Sequence, residues 1–136
     1  MSLATQIMTA DPETIAIIDD DPCIRASLVR VLSAMGYQTE QYDSKEAFLA
    51  NIDHCEACCL IVDVHLGNAS GLDLVRHPAV VALKRPIILN SACDDPDLVS
   101  HALAAGCCAF LHKPYTATSL LGALIRATER YPPAHD

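Results

Sequence analysis

Two runs of aliphatic and β-branched residues constrain this chain more than any other feature: Thr14-Ile15-Ala16-Ile17-Ile18 and Cys58-Cys59-Leu60-Ile61-Val62. Neither run has a polar face to turn toward water, so both belong in the middle of a parallel sheet covered by helices on each side. Each breaks off in carboxylates, the first in Asp19-Asp20-Asp21 and the second in Asp63. Strands of a parallel sheet end on the same edge, so these acids are delivered to one place.

The rest of the chain alternates short strand-like runs with stretches of helical period. Asp21-Pro22 reads as a helix cap and first turn, followed by an apolar stripe of Ile24, Leu28, Val31, Leu32 and Met35 that stops at Gly36. A more polar strand from Tyr37 to Tyr42 belongs nearer an edge, and Ser44 caps a brief helix carrying Ala47, Phe48 and Leu49. After Asp63, the residues Gly67, Asn68, Ser70 and Gly71 make a loop, and a helix from Leu72 to Arg76 must be interrupted or kinked by His77-Pro78. Pro86-Ile87-Ile88-Leu89 is a fourth strand ending at Asn90-Ser91. Asp95-Pro96 caps a helix bearing Leu98, Val99, Ala102, Leu103 and Ala105, closed by Gly106. Cys108-Ala109-Phe110-Leu111 is the fifth strand and runs into His112-Lys113-Pro114. A last helix from about Thr116 shows Ala117, Leu120, Leu121, Leu124 and Ile125 on one face and ends at Tyr131-Pro132-Pro133. Five strands alternating with five helices predict an α/β fold, a doubly wound parallel sheet with helices on both faces. Ligands of such sheets bind beyond the carboxyl ends of the strands, where this reading places Asp19, Asp20, Asp63, Ser91 and Lys113.

The 136 residues suit one domain, over 14–130, with a flexible leader over 1–13 and a C-terminal tail or linker start over 131–136. A formal charge of −8 excludes phosphate-backbone binding by this domain and favours a cationic partner or ion. No apolar run approaches the ~20 residues that span a bilayer, and the start lacks a secretory pattern, so a cytoplasmic protein without membrane contact is expected. The seven cysteines are an odd number without regular spacing, as for reduced thiols. His54-Cys55, Cys58 and Cys59 lack the second paired knuckle of a zinc site, with Cys107 and Cys108 the further candidates. Cys58, Cys59 and Cys108 fall in strands, where cysteine behaves as a small apolar residue, and neither Cys55 nor Cys58 has an activating cation nearby in sequence.

The acids carry the chemistry. Carboxylates on neighbouring strands repel by about 4 kcal/mol at 4 Å and an effective dielectric of 20, so the cluster must take up a proton or a cation. An open crevice of short carboxylates suits Mg²⁺, which keeps several waters and takes one or two carboxylates plus a phosphate oxygen. Lys113 adds a fixed positive charge and Ser91 a hydroxyl. A cation, an ammonium and a hydroxyl around carboxylates form a phosphoryl site in which one carboxylate can be the nucleophile. Two classes of protein use such a site: a regulatory switch, and a Mg²⁺-dependent phosphohydrolase with an aspartyl-phosphate intermediate. The small size argues against the second.

Four motifs appear in order: Ile17-Ile18-Asp19-Asp20-Asp21-Pro22; Leu60-Ile61-Val62-Asp63-Val64-His65-Leu66 with Ser70-Gly71-Leu72-Asp73-Leu74; Pro86-Ile87-Ile88-Leu89-Asn90-Ser91-Ala92; and Gly106-Cys107-Cys108-Ala109-Phe110-Leu111-His112-Lys113-Pro114. On these, the chain from about Glu13 to Ala127 resembles the receiver domain of bacterial two-component response regulators, especially the subgroup that precedes a helix-turn-helix transcription domain. The resemblance implies a flavodoxin-like strand order 2-1-3-4-5. It implies that Asp63 is the phosphoacceptor for a partner sensor histidine kinase, not an enzyme's turnover residue. It further implies that Asp20, Asp63 and the backbone carbonyl of His65 hold Mg²⁺, with Asp19 acting mostly through metal-bound water. Lys113 would pair with the phosphoryl oxygens. Ser91 and Phe110 would be the switch that reports to the face of helix four, strand five and helix five, where a homodimer can form and from which an output, here transcription, is regulated. A pseudo-receiver that binds partners without phosphorylation is disfavoured by the complete set of five residues. Gly67 stands where a proline is common in the family, which predicts a softer backbone. His65 and Cys93, two residues beyond Asp63 and Ser91, are expected to flank the hydrolytic water and to influence acyl-phosphate lifetime.

Overall fold

A computed structural model describes residues 13–93 and 95–130; the leader up to Pro12 and the tail 131–136 lie outside the described residues. The two apolar runs form β1 (Thr14–Ile18) and β3 (Cys59–Asp63), paired in parallel with Ile15 opposite Cys59 and Ile18 opposite Val62. The more polar β2 (Gln38–Tyr42) lies beyond β1 on the edge and is nowhere fully buried. Ile87–Ser91 forms β4, buried at all five positions, and Ala109–His112 forms β5 on the opposite edge. The order β2-β1-β3-β4-β5, all parallel, is the doubly wound arrangement expected, with both helix layers in place.

Side-chain alternation sorts the core into two layers. On one face Ile15, Ile17, Ile61, Ile88 and Leu111 pack against α1 (Pro22–Ala34) through Leu28 and Leu32, and against α6 (Ala117–Arg130) through Leu120, Ala123, Leu124 and Ala127. On the other face Ala16, Ile18, Leu60, Val62 and Leu89 meet four short helices: α2 (Lys45–Ala50), α3 (Gly71–Arg76), α4 (Pro78–Leu83) and α5 (Pro96–Ala104). The caps come from the expected side chains. Asp21 Oδ1 accepts from the Cys23 and Ile24 amides, Ser44 Oγ from Ala47, and Asp95 Oδ1 from Asp97. Gly36 leaves α1 at φ +96°, a conformation that residues with a Cβ rarely adopt.

Three expectations are corrected. The helix after Ser70 is two helices, so there are six α-helices among the described residues and the family's fourth and fifth helices correspond to α5 and α6. The break falls at His77-Pro78: Pro78 has no N–H to continue α3, and the His77 Nδ1 accepts from Ala79 N at 3.1 Å, capping α4. The buried face of α6 is Leu120, Ala123, Leu124 and Ala127, spaced i, i+3, i+4, i+7. Ala117, Leu121 and Ile125 lie outside it, with Leu121 and Ile125 39% and 49% exposed. Large side chains alone marked too wide a stripe: two of the four buried positions are alanines. Finally, the loop expected from Gly67 to Gly71 holds part of a small hairpin, with Gly67 in its turn. His65–Leu66 pairs antiparallel with Ala69–Ser70, and Gly67 takes φ +62°.

Candidate functional site

Asp19 and Asp63 are the continuations of β1 and β3 at their carboxyl ends, and both are buried, at 1% and 6% exposure. Asp20, two residues beyond the end of β1, is exposed. One carboxylate oxygen from each of the three lies within 4.8 Å of the others. Lys113 follows β5 and sends its ammonium across the crevice to Asp63 Oδ2 at 3.2 Å and Asp19 Oδ2 at 3.3 Å. The sequence therefore named the acids and the cation that meet.

Each carboxylate is also held from its own side. Asp19 Oδ1 accepts from Asp21 N at 2.9 Å, Asp63 Oδ1 from His65 N at 3.2 Å, and Asp20 Oδ2 from Gly67 N at 2.9 Å. The last bond depends on Gly67 not being proline, which has no N–H to give. Burial pushes the Asp19 carboxyl above its ordinary value, and the Asp63 charge adds to that. The Asp21 amide and Lys113 pull the other way without winning. The Tyr115 hydroxyl is pushed up to about 12, first by burial and then by the charges of Asp19 and Asp63, which places the ring within the field of the site.

Ser91 is fully buried at the end of β4, but its hydroxyl accepts from Cys93 N at 3.0 Å and makes no hydrogen bond to the acidic cluster. It is tied to the site through the backbone, where Lys113 N donates to Ser91 O at 2.8 Å. Phe110 is half-buried on the α5 side of the sheet. The His65 and Cys93 side chains are exposed near the carboxyl ends. The Lys113-Pro114 peptide is cis.

Sequence reasoning missed three residues. Arg25 on α1 donates through Nη1 to the Asp19 carbonyl at 2.7 Å, so Lys113 is not the sole cation at this end. Its place one turn into α1 was readable, its reach back was not. Gly71 packs so closely on the end of β3 that a Cβ there would overlap the Asp63 carbonyl oxygen and lie 2.9 Å from its carbon. Asn90, beside Asp63, is buried. The thiols are different in kind: burial holds Cys59 well above its ordinary value and Cys107 up to about 12, so they stay protonated and are poor ligands.

The donor set, three carboxylates at mutual ligand distance, is all oxygen and fits a hard divalent cation. Residues 15–125 match the family model described as response regulator receiver domain, and the chain belongs to that family. The response regulator protein TmoT of Ectopseudomonas mendocina is 32% identical over 130 residues, covering 96% of this chain and 59% of TmoT. The transcriptional regulatory protein FixJ of Rhizobium meliloti is 30% identical over 116 residues, 85% of this chain and 57% of FixJ. The chain thus spans a little over half the length of these curated relatives. Among solved structures, FixJ-N superposes with a TM-score of 0.81 at 28% identity, covering 92% of this chain and all of that one. A response regulator from Burkholderia pseudomallei, with a phosphorylated aspartic acid, calcium ion and citrate, superposes with a TM-score of 0.76 at 28% identity over 87% of this chain and 70% of its own. Among the described residues no helix is long and apolar enough to cross a membrane.

Proposed function

We propose that the chain is a cytoplasmic, phosphorylation-controlled switch that takes a phosphoryl group on Asp63 from a sensor histidine kinase and regulates transcription through an output partner or domain. The observation that carries this is the pair made by Asp63 and Lys113. A buried carboxylate at a strand end has one oxygen on an ammonium at 3.2 Å and the other on a backbone N–H, which fixes the direction of attack. An Asp63 carboxylate oxygen attacks phosphorus, the bond from phosphorus to the donor imidazole nitrogen breaks, and its electron pair returns to the ring. Asp19, Asp20, Asp63 and the His65 carbonyl would hold Mg²⁺, which when bound offsets the charge of nucleophile and phosphoryl group. The phosphoryl group brings close to two negative charges. Lys113 moves from the Asp63 carboxylate to the new oxygens, and the Ser91 hydroxyl exchanges the Cys93 amide for one of them. Phe110 then turns into the space this leaves, altering the surface of α5, β5 and α6. That surface exposes Leu103 to 54%, together with Leu121 and Ile125, which supports a homodimer there. The Burkholderia neighbour with its phosphorylated aspartic acid supports the same chemistry.

Acetyl phosphate with Mg²⁺ should add one phosphoryl mass to the parent chain and none to Asp63→Asn. Equal labelling of the two would refute the assignment of the nucleophile, and rapid turnover of small phosphoesters would favour a phosphohydrolase instead.

A further inference from the structure

Asn90 is 1% exposed, and neither its Oδ1 nor its Nδ2 has a hydrogen-bond partner among the described residues. Natural cores rarely leave a buried amide unpaired, because its lost hydration is not repaid. Packing alone does not call for it: Ile88, two residues earlier on the same face, fills its place with aliphatic atoms. What distinguishes position 90 is its neighbours. Asn90 is in register with Asp63 on one side and Leu111 on the other, and its carbonyl is fixed by Val64 N at 2.9 Å. Alternation along β4 puts its side chain on the α1 and α6 face with Ile88, and alternation along β3 puts Asp63 on that face with Ile61. Lys113 starts beyond β5 yet touches acids on β3 and β1, so its side chain crosses the end of β4, where Asn90 is the last residue on that face.

An amide suits this place chemically. It offers N–H donors to a carboxylate and a carbonyl acceptor to an ammonium, and it does so without adding charge. We propose that Asn90 is a positioning residue of the phosphoryl site: its amide, directly or through one buried water, takes an N–H of Lys113 and donates to Asp63, holding nucleophile and ammonium in register. Because it lies beneath the pair, it keeps the acyl carbonyl of Asp63 after Lys113 has followed the phosphoryl group. This rests on Asp63 being the phosphoacceptor.

The test uses the full chain, acetyl phosphate and a Mg²⁺ titration, with labelling followed by intact mass and stability by thermal melting. Asn90→Leu buries an aliphatic group beside Ile88 and Leu111, so its melting temperature should equal or exceed the parent's. Its Mg²⁺ half-saturation should shift far less than its rate, since only Asp63 among the proposed ligands loses a contact and Asp19, Asp20 and the His65 carbonyl are untouched. Its labelling rate at saturating Mg²⁺ should fall about tenfold, the effect of one hydrogen bond to a charged group. Asn90→Ser, which keeps a donor and an acceptor and leaves room for a water, should recover part of that rate. Parental labelling by Asn90→Leu overturns the proposal. So does a rate loss accompanied by matching losses of stability and Mg²⁺ affinity, or a serine variant no faster than the leucine one. A parent chain that takes no label at all overturns the phosphoacceptor reading, and this inference with it.

Discussion

Replacing Asp19 with asparagine should stabilise the protein when no divalent cation is present. The carboxylate is 1% exposed and lies within 4.8 Å of the Asp63 carboxylate, a repulsion of about 3.5 kcal/mol at an effective dielectric of 20. Lys113 at 3.3 Å returns about 5 kcal/mol on the same scale, but it is shared with Asp63. Against that small surplus stands the desolvation of a buried carboxylate, several kcal/mol even after relaxation. The raised pKa of Asp19, with burial as its largest cause, says the same: the charge is a net burden. Asparagine retains an oxygen for Asp21 N, so the strand end keeps its shape. A gain of about 1–3 kcal/mol is expected, or roughly 3–10 °C in melting temperature for a domain of this size. The linkage has a definite sign. A carboxyl whose folded pKa lies above 3.8 contributes stability that is complete below 3.8 and is lost as pH rises through the folded value. In EDTA, the parent's deficit relative to Asp19→Asn should therefore shrink as the pH is lowered from neutral and Asp19 takes up its proton. Saturating Mg²⁺ should reverse the order at pH 7, since ligand at a hundredfold excess over its Kd adds about 2.7 kcal/mol to whichever protein binds it. Melting curves of both proteins at several pH values, with EDTA and with Mg²⁺, read all of this. An Asp19→Asn variant that melts below the parent in EDTA at pH 7 would refute the reasoning, because the Lys113 pair would then outweigh burial.

Gly71→Ala should lose about 1–3 kcal/mol of stability and label more slowly, because its methyl group would overlap the Asp63 carbonyl oxygen and must displace the backbone carrying the nucleophile. Chemical denaturation and acetyl-phosphate labelling measure the two effects, and parental values in both would show that the strand yields freely. His65→Ala should lengthen the acyl-phosphate lifetime severalfold, as expected if the exposed imidazole beside Asp63 assists an incoming water. Dephosphorylation at the parental rate would remove that role.

Strand ends were legible in the sequence because two apolar runs each broke off in acid, and parallel pairing then left one place for Asp19, Asp20 and Asp63. Caps such as Asp21, Ser44 and Asp95 were legible because their bonds are local. What escaped were quantities set by distance across the fold. The rotation of α6 about its axis decided that Ala123 and Ala127, not Leu121 and Ile125, face inward. The close approach of α3 to β3 decided Gly71. The register of β3 against β4 decided what Asn90 lies beside. None of these leaves a periodic mark in the sequence, since each depends on an element elsewhere in the chain.

The alternation that sorts the core also divides the site. Asp19, Asp63 and Asn90 belong to the α1 and α6 face, whereas Ser91 follows Ile87 and Leu89 on the opposite face, where Phe110 also packs. A change of charge at Asp63 therefore has to cross the sheet before it can reach α5. The shortest crossing is one peptide long, because Asn90 and Ser91 are consecutive, and the Lys113 amide already grips the Ser91 carbonyl at 2.8 Å. Lys113 thus touches the Asp63 charge with its side chain and Ser91, the proposed switch residue, with its backbone. A shift of its ammonium toward a phosphoryl oxygen pulls on the same residue whose N–H holds the end of β4. The proposed switch therefore needs no long pathway of packed residues: one lysine and two adjacent strand-end residues join the two faces.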